Sequence, residues 1–467
     1  MVIRRASGKI QRQGQQIVGL LWLCVEGMAV PPMRLWTAAD RRATVSLVMR
    51  CGSARDTTHD TITARGMTGV PEDDASAYLQ AGTAAYRSAS RILFVAGFST
   101  FASLYCVQPL MPDFARDFGV TPAESSLALS LSTGCLAVAL LVAGALSDGI
   151  GRKPVMVAAL LVSGLLGIVG AVMPDWQGLL ALRALEGIAL SGLPAVAMAY
   201  VSEEVDPKTA GVAMGLYIGG TAMGGMSGRV LTALIADLGN WRIAVGLVGV
   251  LGVAAALTVW KGLPPSRHFV RRPSGLSALA ASWRGLLADR AILALFSLGF
   301  LLMGGFVTAF NYIAFRLTDP PFDLRPALVG AVSVVYCFGM VSSPLFGWLA
   351  GRFGNSRTLM AAILLMIAGL GAMEPESLWF IMGGIGLFTF SFFGAHSIVS
   401  AWIGQRAQRS RGQASSIYLF CYYMGSTVAG TSGGLFWHVF GWTGVALFIA
   451  GLLSLAALAG AFLLRLR

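Results

Sequence analysis

Asp148, Arg152 and Lys153 lie within six residues of one another in the stretch Gly144-Ala-Leu-Ser-Asp-Gly-Ile-Gly151-Arg-Lys-Pro154. A carboxylate and a guanidinium that close form an ion pair that is made and broken easily, worth about 0–1 kcal/mol where water reaches it. That is the chemistry of a latch, not of bond cleavage. Gly144 and Gly151 let neighbouring backbones come near enough for such a contact. The plainer reading of the turn is topology and tight packing without gating.

Arg183 and Glu186 stand three residues apart, which makes them neighbours on one helical face. Both fall inside an apolar run that opens near residue 177, about 9–14 Å along it at 1.5 Å per residue. A charge at such a depth costs about 2.5–3.5 kcal/mol to insert, so charges inside apolar runs point to function. Burial and a neighbouring arginine pull a carboxylate's protonation in opposite directions. Glu186 is therefore a candidate proton carrier, with a static pair to Arg183 as the alternative. His396, well inside another apolar run, is a second candidate because imidazole titrates near neutral pH; the alternative is a hydrogen-bonded packing histidine. Arg229 is either an anchor reaching interfacial water or a contact for a carboxylate or phosphate on a cargo molecule. Tyr105, Gln108, Asn311, Tyr312, Tyr422 and Tyr423 are polar or aromatic groups that either line a cavity or tie helices together.

The elements that must position these residues are membrane helices. With 56% hydrophobic and 12% charged residues and a mean hydropathy of +0.71, the chain has too little polar surface for a water-soluble globule. Twelve apolar runs of spanning length lie near 90–112, 126–147, 154–173, 177–200, 209–234, 241–260, 291–315, 326–349, 357–373, 378–401, 412–437 and 442–464. From residue 67 onward, 18 Lys or Arg fall in alternate loops and tails that share one side, against Arg116, Arg242, Arg316 and Arg325 on the other. That asymmetry predicts both termini in the cytoplasm. It also explains the net charge of +12 without a nucleic-acid partner; the partner is the lipid bilayer. The six cysteines show no ligand spacing, so neither a metal nor another cofactor is expected, and they read as small packing residues.

Residues 1–66 differ from the rest, with ten Lys or Arg against four acids and one apolar run at 17–30 interrupted by Glu26. Residues 1–87 are read as an extension without ordered structure, with Met67 a candidate for the true start and a surface-lying helix at 17–30 as an alternative. The remainder reads as a duplication. Gly144-Ala-Leu-Ser-Asp-Gly-Ile-Gly151 is echoed by Gly347-Trp-Leu-Ala-Gly-Arg-Phe-Gly354 at an offset of 203, with Gly351 in place of the acid. Gly225-Met-Ser-Gly228 is echoed by Gly430-Thr-Ser-Gly433 at an offset of 205, and Trp241 by Trp442 at 201. Near-constant offsets imply a parallel repeat of six helices: a bundle at 88–261, a cytoplasmic linker at 262–289 and a second bundle at 290–467. The repeated Gly-x-Ser-Gly stretches match the nucleophile pattern of intramembrane serine proteases, but that chemistry needs a strand-to-helix elbow and these runs are helical. No Walker-type loop is present to support ATP-driven pumping.

The turn at 144–154, the duplication and the span count together resemble the major facilitator superfamily of transporters, over about residues 88–465. Arg183-Ala-Leu-Glu186-Gly187 is similar to that superfamily's Arg-x-x-Gln-Gly pattern, with Glu where Gln is usual. Tyr105-Cys-Val-Gln-Pro-Leu-Met-Pro112, Met214-Gly-Leu-Tyr-Ile-Gly219, Gly224-Gly-Met-Ser-Gly-Arg229, Ala395-His-Ser397 and Gly412-Gln-Ala-Ser-Ser-Ile-Tyr-Leu-Phe420 resemble the bacterial YnfM-type (acriflavine-sensitivity) group. The resemblance implies an all-α, twelve-helix permease of the inner membrane, not an enzyme. It would act as a monomer working by alternating access and export a drug-like or sugar-like small molecule in exchange for protons. In that superfamily the first, fourth, seventh and tenth helices line the central cavity. Two departures weigh against strict drug–proton antiport: Thr221 stands where such antiporters carry a helix-five proline, and the first run lacks a buried acid. Uptake, or sensing without transport, is the alternative. The few charges among the cavity candidates lean toward a neutral or weakly cationic cargo.

Overall fold

The structure is a computed structural model that describes residues 78–207, 209–269, 283–408 and 411–465. Residues 1–77 of the expected extension, its apolar run among them, and residues 270–282 of the linker lie outside those residues. The described chain is helical, with no β-strand beyond one isolated bridge between Leu79 and Val205. Its spanning helices are α1 (Ala84–Phe118), α2 (Leu127–Ile150), α3 (Arg152–Ala171), α4 (Trp176–Glu204), α5 (Ala210–Leu238) and α6 (Trp241–Gly262). The second set is α7 (Arg290–Thr318), α8 (Pro326–Phe353), α9 (Asn355–Ala372), α10 (Leu378–Arg406), α11 (411–440) and α12 (442–465). The last two run on from one another and are separated at Gly441, whose φ of 58° and ψ of −142° no helix can contain. Helix α1 opens at Ala84, with the Thr83 side chain accepting the Tyr86 N–H at its start. The first helix is thus already formed ahead of residue 88.

The charged turn has almost no length: α2 ends at Ile150, α3 begins at Arg152, and Gly151 between them holds φ 111°. Gly354 does the same between α8 and α9 at φ 88°. A side chain at either position would be strained, so the two hairpins are tight because of these two glycines.

The two sets pack alike. In the first, α5 lies along α1 and α6, and α3 lies against α6. In the second, α7 packs on α11, and α9 on α10 and α12. Small residues make the close crossings possible, as membrane helices require. A Cβ on Gly224 would sit 2.0 Å from the Phe98 carbonyl oxygen of α1, and one on Gly425 2.1 Å from the Phe300 carbonyl oxygen of α7. These crossings account for the glycines of the Gly-x-Ser-Gly stretches as packing: Gly228 abuts Ala102, and Gly433 abuts Thr308 and Tyr312. The outward faces stay apolar, with Val142, Leu146, Trp348, Trp379 and Leu447 exposed. That is the surface of a chain dissolved in hydrocarbon. No disulfide joins the four described cysteines.

Candidate functional site

The site begins with a break in α1. Pro109 and Pro112 remove backbone donors, and the helix tightens into a short 3-10 turn at Gln108–Leu110 before resuming at Met111. Carbonyls around the break are left for other partners. Arg183 of α4 takes two of them, with Nη1 3.2 Å from the Ser103 oxygen and Nη2 2.9 Å from the Leu104 oxygen, while Nε donates to the Ala128 oxygen of α2 at 2.9 Å. The hydroxyl of Thr232 on α5 donates to the Cys106 carbonyl at 2.8 Å. Glu186 meets Arg183 at 2.5 Å, and both are buried. Gly187 seats α4 against α2, since a Cβ there would lie 2.1 Å from the Ser132 carbonyl oxygen. Arg183 is therefore a brace between α1, α2 and α4, and Glu186 is its one carboxylate partner among the described residues. If Glu186 takes up a proton, Arg183 keeps three carbonyl acceptors.

The same break turns Tyr105 and Gln108 inward onto Arg229. The Arg229 guanidinium lies 4.2 Å from the Tyr105 ring and 4.6 Å from the Tyr336 ring of α8. Its Nε donates to the Gln108 side-chain oxygen and its Nη1 to the Gly225 carbonyl, both at 2.5 Å. The Gln108 amide in turn donates to the side-chain oxygen of Asn311 on α7 at 2.7 Å. These two residues are 203 apart, the offset of the repeated turn, so positions equivalent by duplication meet where the sets face each other. Tyr312 donates to the Gly430 carbonyl of α11 at 3.0 Å. Arg229 is 2% exposed, so it is not an anchor reaching the interface.

A second cluster gathers on α10 and α11. His396 Nδ1 lies 2.7 Å from the Tyr418 hydroxyl, and its ring packs against Phe392 and Tyr422, with Tyr423 edge-on to Tyr422. No charged group pairs with His396 among the described residues. Of the sequence candidates, Tyr105, Gln108, Arg229 and Asn311 meet in one knot, Tyr312 adjoins it through Gly430, and His396, Tyr422 and Tyr423 form the other cluster.

Around these clusters the two sets are sealed at one end and parted at the other. The sealed end, opposite the charged turn, carries Ser130–Thr431 and Thr133–Thr427 hydrogen bonds of 2.8 and 2.9 Å between α2 and α11. Gly330 of α8 presses on Ala233 of α5 there as well. Toward the turn, a cavity of about 770 Å³ separates α2, α4 and α5 from the start of α11. Leu140, Asp148, Arg152, Met198, Gln413 and Ser416 are among its walls. Of the four helices that the family resemblance gives as lining, α4 contributes to this opening; the rest of it follows the α2–α11 seam.

The turn's own charges pair within the first set. Arg152 meets Asp148 and Glu203, each at 2.6 Å, and lies over the Phe269 ring, while Lys153 donates to the Leu263 carbonyl. Gly144 lies within α2, near its end at the turn. The sequence reading missed Glu203; the acidic pair Glu203-Glu204 closing α4 was the available signal. It also missed Tyr336, Tyr418 and the hydroxyls of the seal, which hydropathy does not distinguish from packing residues.

The whole described fold has counterparts. The Major Facilitator Superfamily model matches residues 93–318 and 320–467. The chain is 46% identical to the inner membrane transport protein YnfM of Escherichia coli (strain K12), over 82% of this chain and 92% of that one. It is 45% identical to the uncharacterised transporter YybF of Bacillus subtilis (strain 168), over 83% and 96%. Its fold resembles the crystal structure of a bacterial homologue of the human lysosomal transporter Spinster, inward-facing and unoccupied, with a TM-score of 0.67 at 16% identity over 83% of this chain and 99% of that one. The tight charged hairpin, the paired six-helix sets and the match along nearly all of the described residues lead to one conclusion: this chain belongs to the major facilitator superfamily.

Proposed function

We propose that the chain is a secondary transporter of the bacterial cytoplasmic membrane that moves a small molecule by alternating access, exporting it against an inward flow of protons. The observation that carries this reading is the pairing of a sealed far end with a cavity between the same two sets at the turn end. A rigid rocking of one set against the other would exchange the two openings about the knot at Arg229. The excess of Lys and Arg on the turn side supports assigning that side to the cytoplasm, which makes this the inward-facing state. Asp148 and Arg152 then stand on the open wall, with Arg152 paired to Asp148 and Glu203, while Lys153 beside them is held by the Leu263 carbonyl at the start of the linker. As the cavity closes, α11 approaches this wall, and the pairs are free to be redistributed across the gap.

Proton coupling is assigned to Glu186. Among the described residues its charge is matched by Arg183 alone, and Arg183 is held by backbone carbonyls whether or not Glu186 is ionised. Cells lacking or overproducing the protein, screened over dyes, antibiotics and sugars with and without an uncoupler, test the whole reading. Gradient-dependent lowering of cell content supports export, gradient-dependent accumulation turns the direction round, and no difference for any compound removes transport. Glu186→Gln is expected to abolish the pH dependence of flux while leaving the protein in the membrane; an unaltered pH profile eliminates its coupling role.

A further inference from the structure

Three arginines are buried among the described residues: Arg152, Arg183 and Arg229, at 7%, 2% and 2% exposure. Asp148 and Glu203 neutralise the first, and Glu186 the second. Arg229 pairs with no carboxylate among the described residues, although it sits nine residues from the end of α5, about 14 Å from that end. A guanidinium at such a depth is costly unless paired. Here its charge rests on two neutral oxygens and on the faces of Tyr105 and Tyr336.

Those supports do not all belong to one set of helices. Tyr105, Gln108 and Gly225 move with Arg229, whereas Tyr336 lies on α8 and Asn311, which holds Gln108, lies on α7. Between them is a cavity of about 20 Å³, bounded by Gln108, Arg229, Phe310, Ile313, Val332 and Ser333. That is room for about one water. Parting the sealed end would widen this gap, withdraw the Tyr336 ring and leave the guanidinium with one of its two aromatic faces. No acid lines the gap to receive a cationic cargo. A planar fork of donors is matched by the oxygens of a carboxylate or phosphate.

We propose that Arg229 is an oxyanion-recognition group of the transport path, engaging a carboxylate or phosphate on the cargo when the end opposite the charged turn opens. The inference rests on the alternating-access reading and changes its cargo class, from neutral or weakly cationic to anionic. A ligand that binds one conformation alone shifts the population toward it. Oxyanions therefore favour the far-end-open state, and this response needs no knowledge of the natural cargo.

The test uses the full chain in lipid nanodiscs carrying Ser333→Cys, whose alkylation by N-ethylmaleimide is followed at that residue by peptide mass mapping. Sodium phosphate and sodium acetate are compared with sodium chloride at equal ionic strength. Phosphate, acetate or both are expected to raise the rate at least about fivefold, the lower range of coupling between linked equilibria. Which salt acts tells phosphate from carboxylate cargo. Adding Arg229→Gln is expected to abolish the response. Arg229→Lys, which keeps the charge and loses the fork, is expected to weaken it and guards against a folding defect in the glutamine variant. Equal rates in all three salts, or a response that survives Arg229→Gln, overturn the anion site while leaving rocking intact. A thiol that never reacts, even when Asn311→Ala loosens the seal, removes both.

Discussion

Replacing Asn311 by alanine isolates one bond of the sealed end. The Gln108–Asn311 hydrogen bond of 2.7 Å joins α1 to α7, and both residues are fully buried. Asn311 has one further hydrogen bond, 3.4 Å to the Gly430 carbonyl of α11, which lies within the second set and survives any rocking of one set against the other. Gln108 likewise keeps its bond to Arg229 inside the first set. Of these three bonds, the Gln108–Asn311 bond is the one that crosses between the sets and differs between the two states. Interhelical hydrogen bonds in membranes are worth about 0.6 kcal/mol on average, with a maximum near 1.7. The substitution also leaves the Gln108 amide without an acceptor in the sealed state, where burial costs about 1–3 kcal/mol, but not in the open state, where water reaches it. The average bond and the low end of the burial cost together give a net shift of about 1.6 kcal/mol, or about fifteenfold in the ratio of open to sealed molecules. Spin labels at Arg116 and Arg325, both exposed near the sealed end, report that ratio by pulsed dipolar distance measurement in nanodiscs. Because Gln108→Leu breaks the same bond, the double variant is expected to shift the ratio by less than the sum of the single shifts. A distance distribution identical to that of the parent chain, or fully additive shifts, would refute the argument that this bond holds the far end shut.

Two further outcomes follow from the packing and the charges. Gly187→Val pushes a branched side chain toward the Ser132 backbone, with the Cβ itself starting 2.1 Å from the carbonyl oxygen. Overpacking of this kind costs about 1–3 kcal/mol or more, so the unfolding temperature in detergent is expected to fall by several degrees; an unchanged value shows that α4 can move off α2. At the turn end, Asp289 begins to be desolvated, yet Arg406 and the N–H groups of Ala291 and Ile292 hold its carboxyl below the ordinary range. A depressed carboxyl contributes stability above its unfolded pKa of about 3.9 and loses it as pH falls through the folded value. Arg406→Gln is expected to lower thermal stability at pH 7, with the gap to the parent shrinking as pH falls below about 3.9 and Asp289 takes up its proton. A gap that is independent of pH shows that the pair does not act through its charge.

Not every residue of the site was equally legible. Arg183 and Glu186 are three apart on one helix, so their pairing follows from the helical repeat, and it is present at 2.5 Å. The charged turn was equally plain, because glycines at fixed offsets between apolar runs leave one way to fold it. Its ionic partner was not: Glu203 lies 51 residues from Arg152 and reaches it only because α4 ends beside the turn. Nor did any sequence pattern single out Tyr336 as a wall of the Arg229 pocket, since an aromatic residue in an apolar run has no directional signature.

By itself, then, the sequence determined the class of fold, the hairpin and the duplication. A bilayer obliges every span to satisfy its own backbone, and that obligation is written locally, in apolar length, in glycine spacing and in where the charges stop. Only the tertiary structure decided which buried charge met which partner, which end was sealed, and that Gln108 would face its own repeat counterpart. Those outcomes depend on how each helix is rotated and tilted against its neighbours, and the close crossings that set rotation and tilt are formed by residues far apart in the chain.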